Sequence, residues 1–411
     1  MPERRVVITG MGLVTPVGNS IETFWSNLKN GVSGIRTIDA FDTTEYDCKI
    51  GGQVRDFDPK QFFKNPKDVR RTDRFTHLAM AAAKMAVADS GIDLDNLKER
   101  DRFGVIVSTG IGGLKTLQDQ LQVLLAKGPG RNSPFTIPML ISNMAGGVIS
   151  MEFDLRGPNL CIVTACATSN NAIGESWRII KFGDADIFLA GGAEASIVEI
   201  GVAGFSAMKA LSKRNDEPER ASRPFDRDRD GFVMSEGSGV VVVEELEHAR
   251  ARGATIYAEI VGFGTNSDGC HVTHPNAATM QIAMELALAD ADLPPSAIGY
   301  INAHGTGTQH GDVAESQATW NLFRDRVPIS SLKSYMGHTL GACGALEAWI
   351  SIEMMRAGWF APTINLAKVD PECAGLDYVV EEGRELDCEY VISNNFAFGG
   401  INTSLIFRRC A

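Results

Sequence analysis

A thiol and two imidazoles are the groups in this sequence best placed to do chemistry. Cys166 stands in Gly157-Pro158-Asn159-Leu160-Cys161-Ile162-Val163-Thr164-Ala165-Cys166-Ala167-Thr168-Ser169. Leu160 to Val163 is a short apolar, partly β-branched run and reads as a buried strand. From Asn170 to Phe182, Ile173, Trp177 and Ile180 recur at helical spacing. The thiol is therefore expected where a strand turns into a helix. Unpaired N–H groups and the positive end of the helix dipole favour thiolate at such a place. A small buried packing cysteine fits the same pattern, and local context leaves both readings open. His304 and His338 each follow a strand-like run and precede glycine or small residues. A neutral imidazole there can donate a hydrogen bond or exchange protons, although a lone histidine is more often an ordinary core or surface residue. Lys333 precedes His338 and, if buried, needs a carboxylate partner. Thr306 and Thr308 lie two apart in an extended loop, so their hydroxyls can face one side; ordinary turn threonines are the alternative.

Gly157 to Ile173 resembles the active-site signature of 3-oxoacyl-[acyl-carrier-protein] synthases, the condensing enzymes of fatty acid and polyketide synthesis. Three further segments match in the same order: Asn302-Ala303-His304-Gly305-Thr306-Gly307-Thr308, Lys333-Ser334-Tyr335-Met336-Gly337-His338 and Asn395-Phe396-Ala397-Phe398-Gly399-Gly400-Ile401-Asn402. The resemblance runs from about Arg5 to Phe407 and is nearest to the type II synthase that elongates an acyl chain rather than the one that starts it from coenzyme A. It implies that Cys166 is the acyl-carrying nucleophile and that the N–H groups of Cys166 and Phe398 form an oxyanion hole. It implies that His304 and His338 donate through Nε2 to the malonyl thioester oxygen, within an electrostatic frame of Lys333 and Glu347. It implies that Thr306, Thr308 and Thr273 bind the phosphopantetheine arm of acyl carrier protein, with no tightly bound cofactor and no metal. Phe398, beside Gly399 and Gly400, is expected to gate the acyl pocket, and Ile111 to line it. The remaining histidines, among them His271, His274 and His310, read as ordinary. Two residues depart from the fatty-acid pattern: Gly307, where serine is usual, and Ala397, where glycine is common. Alanine does not readily adopt φ > 0, so whether residue 397 restricts a loop motion needing that conformation is left open. Gly307 with Gln309-His310 is more like a polyketide-type synthase, which keeps open a specialised type II polyketide or polyene system with a chain-length-factor partner.

The elements that must position these groups alternate between strand-like and helical patterns, which predicts an α/β fold of buried, mostly parallel strands. Strands are expected at Arg4–Thr9, Phe103–Ser108, Leu160–Thr164, Ile187–Gly191, Gly239–Glu244, Tyr257–Phe263, Gly299–Asn302, Pro328–Ser330, Tyr378–Val380 and Tyr390–Ser393. Helices are expected at Ile21–Asn30, Thr72–Asp89, Ala172–Phe182, Ala277–Ala291, Asp312–Phe323 and Gly344–Ala357. The polar segment between Lys213 and Gly231 reads as a long surface-reaching loop. The chain repeats itself in outline. Arg5–Gly12 recurs as Ala258–Gly264, and Asp101–Ser108 as Ala297–Ala303. The turn-to-helix at Cys166 recurs at His338, and the strand ending in Gly191-Gly192 parallels the one leading to Gly399-Gly400. That order agrees with the thiolase-like fold the resemblance implies, two similar βα halves in an αβαβα arrangement. The expected boundary follows the helical segment Glu245–Arg252, giving halves 1–253 and 254–411.

Composition excludes other classes. The 411 residues are 44% hydrophobic and 22% charged, ordinary for a globular chain, and suffice for a large core. A net charge of −12 argues against broad nucleic-acid binding. Eight cysteines occur without a C-x-x-C pair, so no zinc site or thioredoxin-like motif is indicated, and reduced thiols in the cytoplasm are expected. The apolar run after Met1-Pro2-Glu3-Arg4-Arg5 is broken by Gly10, Gly12 and Pro16, so it reads as a first strand rather than a signal peptide. No stretch is long and apolar enough to span a bilayer. Gly110-Ile111-Gly112-Gly113 lacks the spacing of a nucleotide-binding loop. Lys64, Lys67, Arg70, Arg71 and Arg74 form the densest basic cluster in an acidic chain, and they are expected to dock an acidic carrier protein; the alternative is a solvated helix face. The partner of the same fold, making a homodimer or a heterodimer, is left open. A catalytically silent chain-length partner is disfavoured, because Cys166, His304 and His338 are all present. A thiolase is disfavoured because Phe398 stands in the C-terminal glycine-rich region, and Cys388 and Cys410 fall outside it.

Overall fold

A computed structural model describes residues 4–410; Met1 to Glu3 lie outside the described residues. The main sheet contains β1 Val6–Val14, β2 Phe103–Ser108, β3 Ile187–Glu194, β4 Gly237–Glu245, β5 Ala258–Ser267, β6 Ile298–Asn302, β7 Pro328–Ser330, β8 Asp377–Tyr378, β9 Tyr390–Ala397 and β10 Ile401–Arg409. Their spatial order is β8-β7-β6-β9-β10-β5-β1-β4-β3-β2. Around these pack α1 Arg74–Ser90, α2 Leu114–Lys127, α3 Met144–Phe153, α4 Thr168–Phe182, α5 Ala277–Asp290, α6 Gln309–Phe323 and α7 Cys343–Ala357.

The sheet reads the same outward from its middle. On one side β1, β4, β3 and β2 follow one another; on the other, β5, β10, β9 and β6 do. The pairing senses also match: β1/β4, β4/β3, β5/β10 and β10/β9 are antiparallel, and β3/β2 and β9/β6 are parallel. The segments that repeat in the sequence therefore occupy corresponding places. The expectation of mostly parallel strands is corrected by the same pairings. The central strands run antiparallel, because β9 returns at once through Phe398-Gly399-Gly400 into β10, and β1 is flanked by antiparallel neighbours on both sides. Helices cover both faces of these strands. A strand buried on both faces is apolar throughout whichever way its neighbours run, so composition could not separate the two cases.

Helix α1 packs on β1 and β4, and α5 on β5 and β10, as outer layers. Between the two sets of strands lie α4 and α7, in contact with each other. Almost every α7 side chain from Cys343 to Met355 is buried, and a helix apolar all round belongs in the interior. Each central helix stops at a left-handed glycine, Gly183 after α4 and Gly358 after α7.

Two more expectations change. Leu160–Thr164 is not a strand. Asn159 makes a single bridge to Val105 at the outer edge of β2, after which Ile162 N–H donates to Ser108 Oγ at 3.0 Å. Leu160 and Val163 are 46% and 50% exposed, so their apolar character marks an open face rather than a buried ladder. The segment between Lys213 and Gly231 is not a surface excursion either. Ser222, Phe225, Asp226 and Arg229 within it are buried. Asp226 accepts from the N–H groups of Asp228, Ala367 and Lys368, which ties the loop to the C-terminal region. Strand β10 and helices α2 and α3 were not anticipated.

Candidate active site

One cleft of about 710 Å³ opens beside the N-terminus of α4. Cys166 sits there on a single 3-10 turn, Ala165–Ala167, whose first residue is left-handed (Ala165 φ +49°). The strand expected before it is an extended segment, but the helix end behind it is real. His338 enters from the turn before α7, with Nε2 3.0 Å from Cys166 Sγ. His304 follows β6, and its ring centre lies 5.3 Å from that of His338, edge to face.

Hydrogen bonds fix the imidazoles. Leu340 N–H donates to His338 Nδ1 at 3.3 Å. A nitrogen that accepts carries no proton, so Nε2 of His338 holds it and points at the sulfur. The backbone N–H groups of His304 and Gly305 donate to the two oxygens of Glu315, both at 2.7 Å. Thr306 and Gly307 N–H donate to Asp312, both at 3.1 Å. The whole His304 loop is thereby hung from two carboxylates of α6. Burial, helped by the Lys333 charge, holds both histidines well below the usual imidazole range, so they are neutral near pH 7. Lys333 and Glu347 form a hydrogen-bonded ion pair and are wholly buried behind the rings. Such a pair tolerates burial only because each charge has its partner.

The thiol does not follow the sequence expectation. Burial pushes Cys166 up to about 12, against the lowering effects of the Lys333 charge and of the N–H groups of Phe398 and Cys166 itself. Desolvation outweighs the helix end here. Those same two N–H groups lie close enough to the sulfur to act on it. Sγ and one nitrogen of each imidazole lie within 4.8 Å of one another, a spacing that a soft metal ion could use. The His338 Nε2 that faces the sulfur, however, carries a proton and offers no lone pair. The geometry fits a nucleophile with donors better than a ligand set.

The other expected residues divide. Ile111, Thr273, Thr306, Thr308, Phe398 and Gly400 line the cleft; Gly399 adjoins it. Thr306 Oγ1 and Thr308 Oγ1 are 2.9 Å apart, on one side as anticipated. Gly307 between them has φ +82°, so the departure from serine falls where glycine is the least strained residue. Ala397 ends β9 paired with Ile401, and the left-handed residues are Gly399 and Gly400 instead. Lys64, Lys67, Arg70 and Arg71 are exposed around the short turn Pro66–Arg71. Arg74 leaves that group. It turns inward to make two hydrogen bonds to Glu236, at 2.8 and 2.6 Å, and one to Val54 O.

Several residues of the site escaped the sequence reading. Glu194 at the end of β3 is buried beside the cleft and accepts from Thr109 Oγ1, Gly110 N–H, Ser196 Oγ and Gly341 N–H. Arg229, buried, pairs with Asp312 and Asp370 and donates to Thr308 O and Gln309 O, bracing the rim. Asn395 bonds to Glu347 and His304, and Cys343 Sγ donates to Cys166 O at 3.1 Å. His274 and His310, read as ordinary, stack 5.3 Å apart on the cleft wall. Most of these partners lie scores of residues away in sequence, so no local pattern signals them; Asn395 was visible inside a quoted motif, and His274 and His310 were noticed without a role.

The likeness to known proteins extends over the whole chain. Residues 3–249 match the model of the beta-ketoacyl synthase N-terminal domain, and residues 257–367 that of the C-terminal domain. A 3-oxoacyl-[acyl-carrier-protein] synthase 2 of Synechocystis is 46% identical over 416 residues, covering 100% of this chain and 99% of the relative. A beta-ketoacyl synthase of Burkholderia phymatum superposes with a TM-score of 0.94 at 46% identity, covering 99% of this chain and 100% of that one. The ishigamide ketosynthase/chain length factor superposes with a TM-score of 0.93 at 35% identity, covering 100% of both chains. Among the described residues no helix is long and apolar enough to cross a membrane.

Proposed function

The chain belongs to the beta-ketoacyl synthase family, and on that premise we propose how its cleft works. It is an acyltransferase of fatty acid elongation. It condenses an acyl group with malonyl-acyl carrier protein, releasing carbon dioxide and giving 3-oxoacyl carrier protein. The observation that carries the assignment of roles is the convergence of His338 Nε2 on Cys166 Sγ at 3.0 Å, with His304 alongside.

In the first half-reaction the Cys166 sulfur attacks the acyl thioester. The carbonyl oxygen becomes an oxyanion between the N–H groups of Cys166 and Phe398, and the carrier thiol leaves with the proton. In the second, malonyl thioester loses carbon dioxide. The electron pair left behind forms an enolate, whose oxygen receives hydrogen bonds from His304 and His338. The enolate carbon attacks the acyl thioester and expels the Cys166 sulfur, which takes up a proton from solvent to restore the thiol. The buried Lys333–Glu347 pair keeps the field around the neutral imidazoles fixed. Thr306, Thr308 and Thr273 hold the phosphopantetheine arm, which the carrier brings, so no resident cofactor is invoked. Ile111 lines the acyl pocket, and Phe398 with Gly399 and Gly400 gates it. Lys64, Lys67, Arg70 and Arg71 receive the acidic carrier. The chain divides after Gly253 into a half bearing Cys166 and a half bearing both histidines. The eight free cysteines fit a cytoplasmic setting. Exposed apolar residues Leu117, Leu121 and Leu124 of α2, with Ile137, Ile141 and Val163, offer a face for a second chain of this fold.

Incubation with acyl-carrier-protein thioester followed by digestion and mass spectrometry tests the roles. Acyl label on Cys166, with His304→Ala and His338→Ala still labelled but elongating about 10²–10³ times more slowly, is the expected result. Label on another cysteine, or near-normal elongation by both histidine variants, overturns it. A second reading, a specialised type II polyketide or polyene ketosynthase, is favoured by the likeness to a ketosynthase paired with a chain length factor. It requires that the purified chain elongate only when a chain-length-factor homologue is added; activity as a homodimer excludes it.

A further inference from the structure

We propose that Asn395 is a positioning residue that sets the tautomer of His304. The proposal rests on the reading of His304 as a donor to the enolate, and it concerns how that donor is made ready.

Asn395 lies near the end of β9 with its side chain wholly buried. Its Nδ2 lies 2.7 Å from Glu347 Oε2, 3.3 Å from His304 Nδ1 and 3.5 Å from Cys343 Sγ. Its Oδ1 has no hydrogen-bond partner. The orientation of an amide must be inferred from its neighbours, and here Glu347 decides it. A carboxylate paired with Lys333 only accepts, so it must face the NH₂ group and not the amide oxygen. One N–H of Asn395 goes to Glu347. The other points between His304 Nδ1 and Cys343 Sγ. Cys343 gives its own proton to Cys166 O and Lys333 donates to Glu347, so only the amide is left to donate toward Nδ1. An N–H directed at Nδ1 requires a lone pair there. The proton of the neutral imidazole is then on Nε2, the atom that must donate to the enolate oxygen.

The two histidines reach the same tautomer by different means. At His338 a backbone N–H, that of Leu340, occupies Nδ1. At His304 the corresponding donor is a side chain, held in turn by an ion pair. Lys333 orients Glu347, Glu347 orients the Asn395 amide, and the amide excludes a proton from Nδ1. Flipping the amide to accept from an Nδ1–H would set its oxygen 2.7 Å from a carboxylate oxygen, which the buried setting penalises.

Nitrogen-15 NMR of the full chain with ring-labelled histidine reads the tautomer directly, His304 being assigned by the signal lost in His304→Ala. The resting wild type should show His304 protonated at Nε2. Asn395→Leu removes both amide protons at similar volume and should move His304 partly or wholly to the Nδ1 tautomer. Carbon dioxide release from malonyl-acyl carrier protein should fall on the order of 10–100-fold, as when the partner that orients a metal-bound histidine is removed. Acylation of Cys166 should stay near the wild-type rate. A wild-type His304 protonated at Nδ1 overturns the proposal, even where Asn395→Leu does not fold. So does an Asn395→Leu protein whose His304 keeps the Nε2 proton while decarboxylation falls. If His304→Ala decarboxylates normally, the donor role fails while the tautomer result stands separately.

Discussion

The starts of α4 and α7 are built alike and do opposite things. Each helix follows a one-turn 3-10 segment whose first residue is left-handed: Ala165 at φ +49° and Leu340 at φ +46°. The next residue is Cys166 in one and Gly341 in the other. Cys166 keeps 7% exposure at the floor of the cleft. A Cβ on Gly341 would lie 2.3 Å from Gly110 N, inside a buried junction where Gly341 also donates to Glu194. The helix start that faces the cleft has room for a nucleophile, and the one pressed against the Gly110 loop has room for no side chain. The second helix contributes instead through Glu347, a turn further on, and through His338 just before it. Its own thiol, Cys343, is sealed against the Cys166 carbonyl. On the proposed roles, a shared local design serves chemistry on one side and support on the other, and the neighbouring loops decide which.

Exchanging the thiols breaks the comparison most severely. Cys166→Ala should abolish acyl uptake and elongation. Cys343→Ala should still take up label and lose only about 1 kcal/mol of stability, near the centre of the range for single substitutions. Acylation surviving in Cys166→Ala and vanishing in Cys343→Ala, measured by intact mass, would reverse the assignment.

The supporting half can be attacked directly. Lys333→Ala leaves Glu347 buried without its partner, and breaking a buried pair in this way costs roughly 3–5 kcal/mol. Thermal or urea unfolding should show it. A loss below about 1 kcal/mol would mean that Glu347 is neutral or solvated.

Gly341→Ala tests the claim that space separates the two helix starts. Insertion into a packed junction costs about 1–3 kcal/mol, and the shift of the Gly110 loop should disturb Glu194. An unchanged melting temperature would show that the junction can yield.

The mildest probe is the pH dependence of Cys166 alkylation by iodoacetamide. A thiol pushed up to about 12 is protonated at neutral pH. Thiolate, the reactive form, therefore increases about tenfold per pH unit while the pH stays below the pKa. The rate at Cys166 should climb without a plateau from pH 7 to 10. A plateau below pH 8 would mean that the helix end and the Phe398 N–H outweigh burial after all.

The comparison also marks what could be read without coordinates. The type and order of most of the main elements, the repeat of β1 as β5 and β2 as β6, and the identities of Cys166, His304, His338, Lys333 and Glu347 were legible in the chain. Periodicity and short motifs are local properties; Cys166, His304, Lys333 and His338 lie inside motifs, and Glu347 was implied by the family resemblance. Tertiary structure alone decided the rest. Strand direction was not legible, because strands buried on both faces look alike whichever way they run. The run Leu160–Val163 read as core because apolar residues on an open face and in an interior have the same composition. Arg74 belonged to the basic cluster until Glu236, far along the chain, turned it inward. The acidity of Cys166 depended on whether burial or a helix end prevails, a balance set by how many atoms enclose the sulfur. The amide of Asn395 acquired its direction only when Glu347 and His304 were brought to its two sides. Each of these depends on contacts between segments distant in sequence, and such contacts form only when the chain folds.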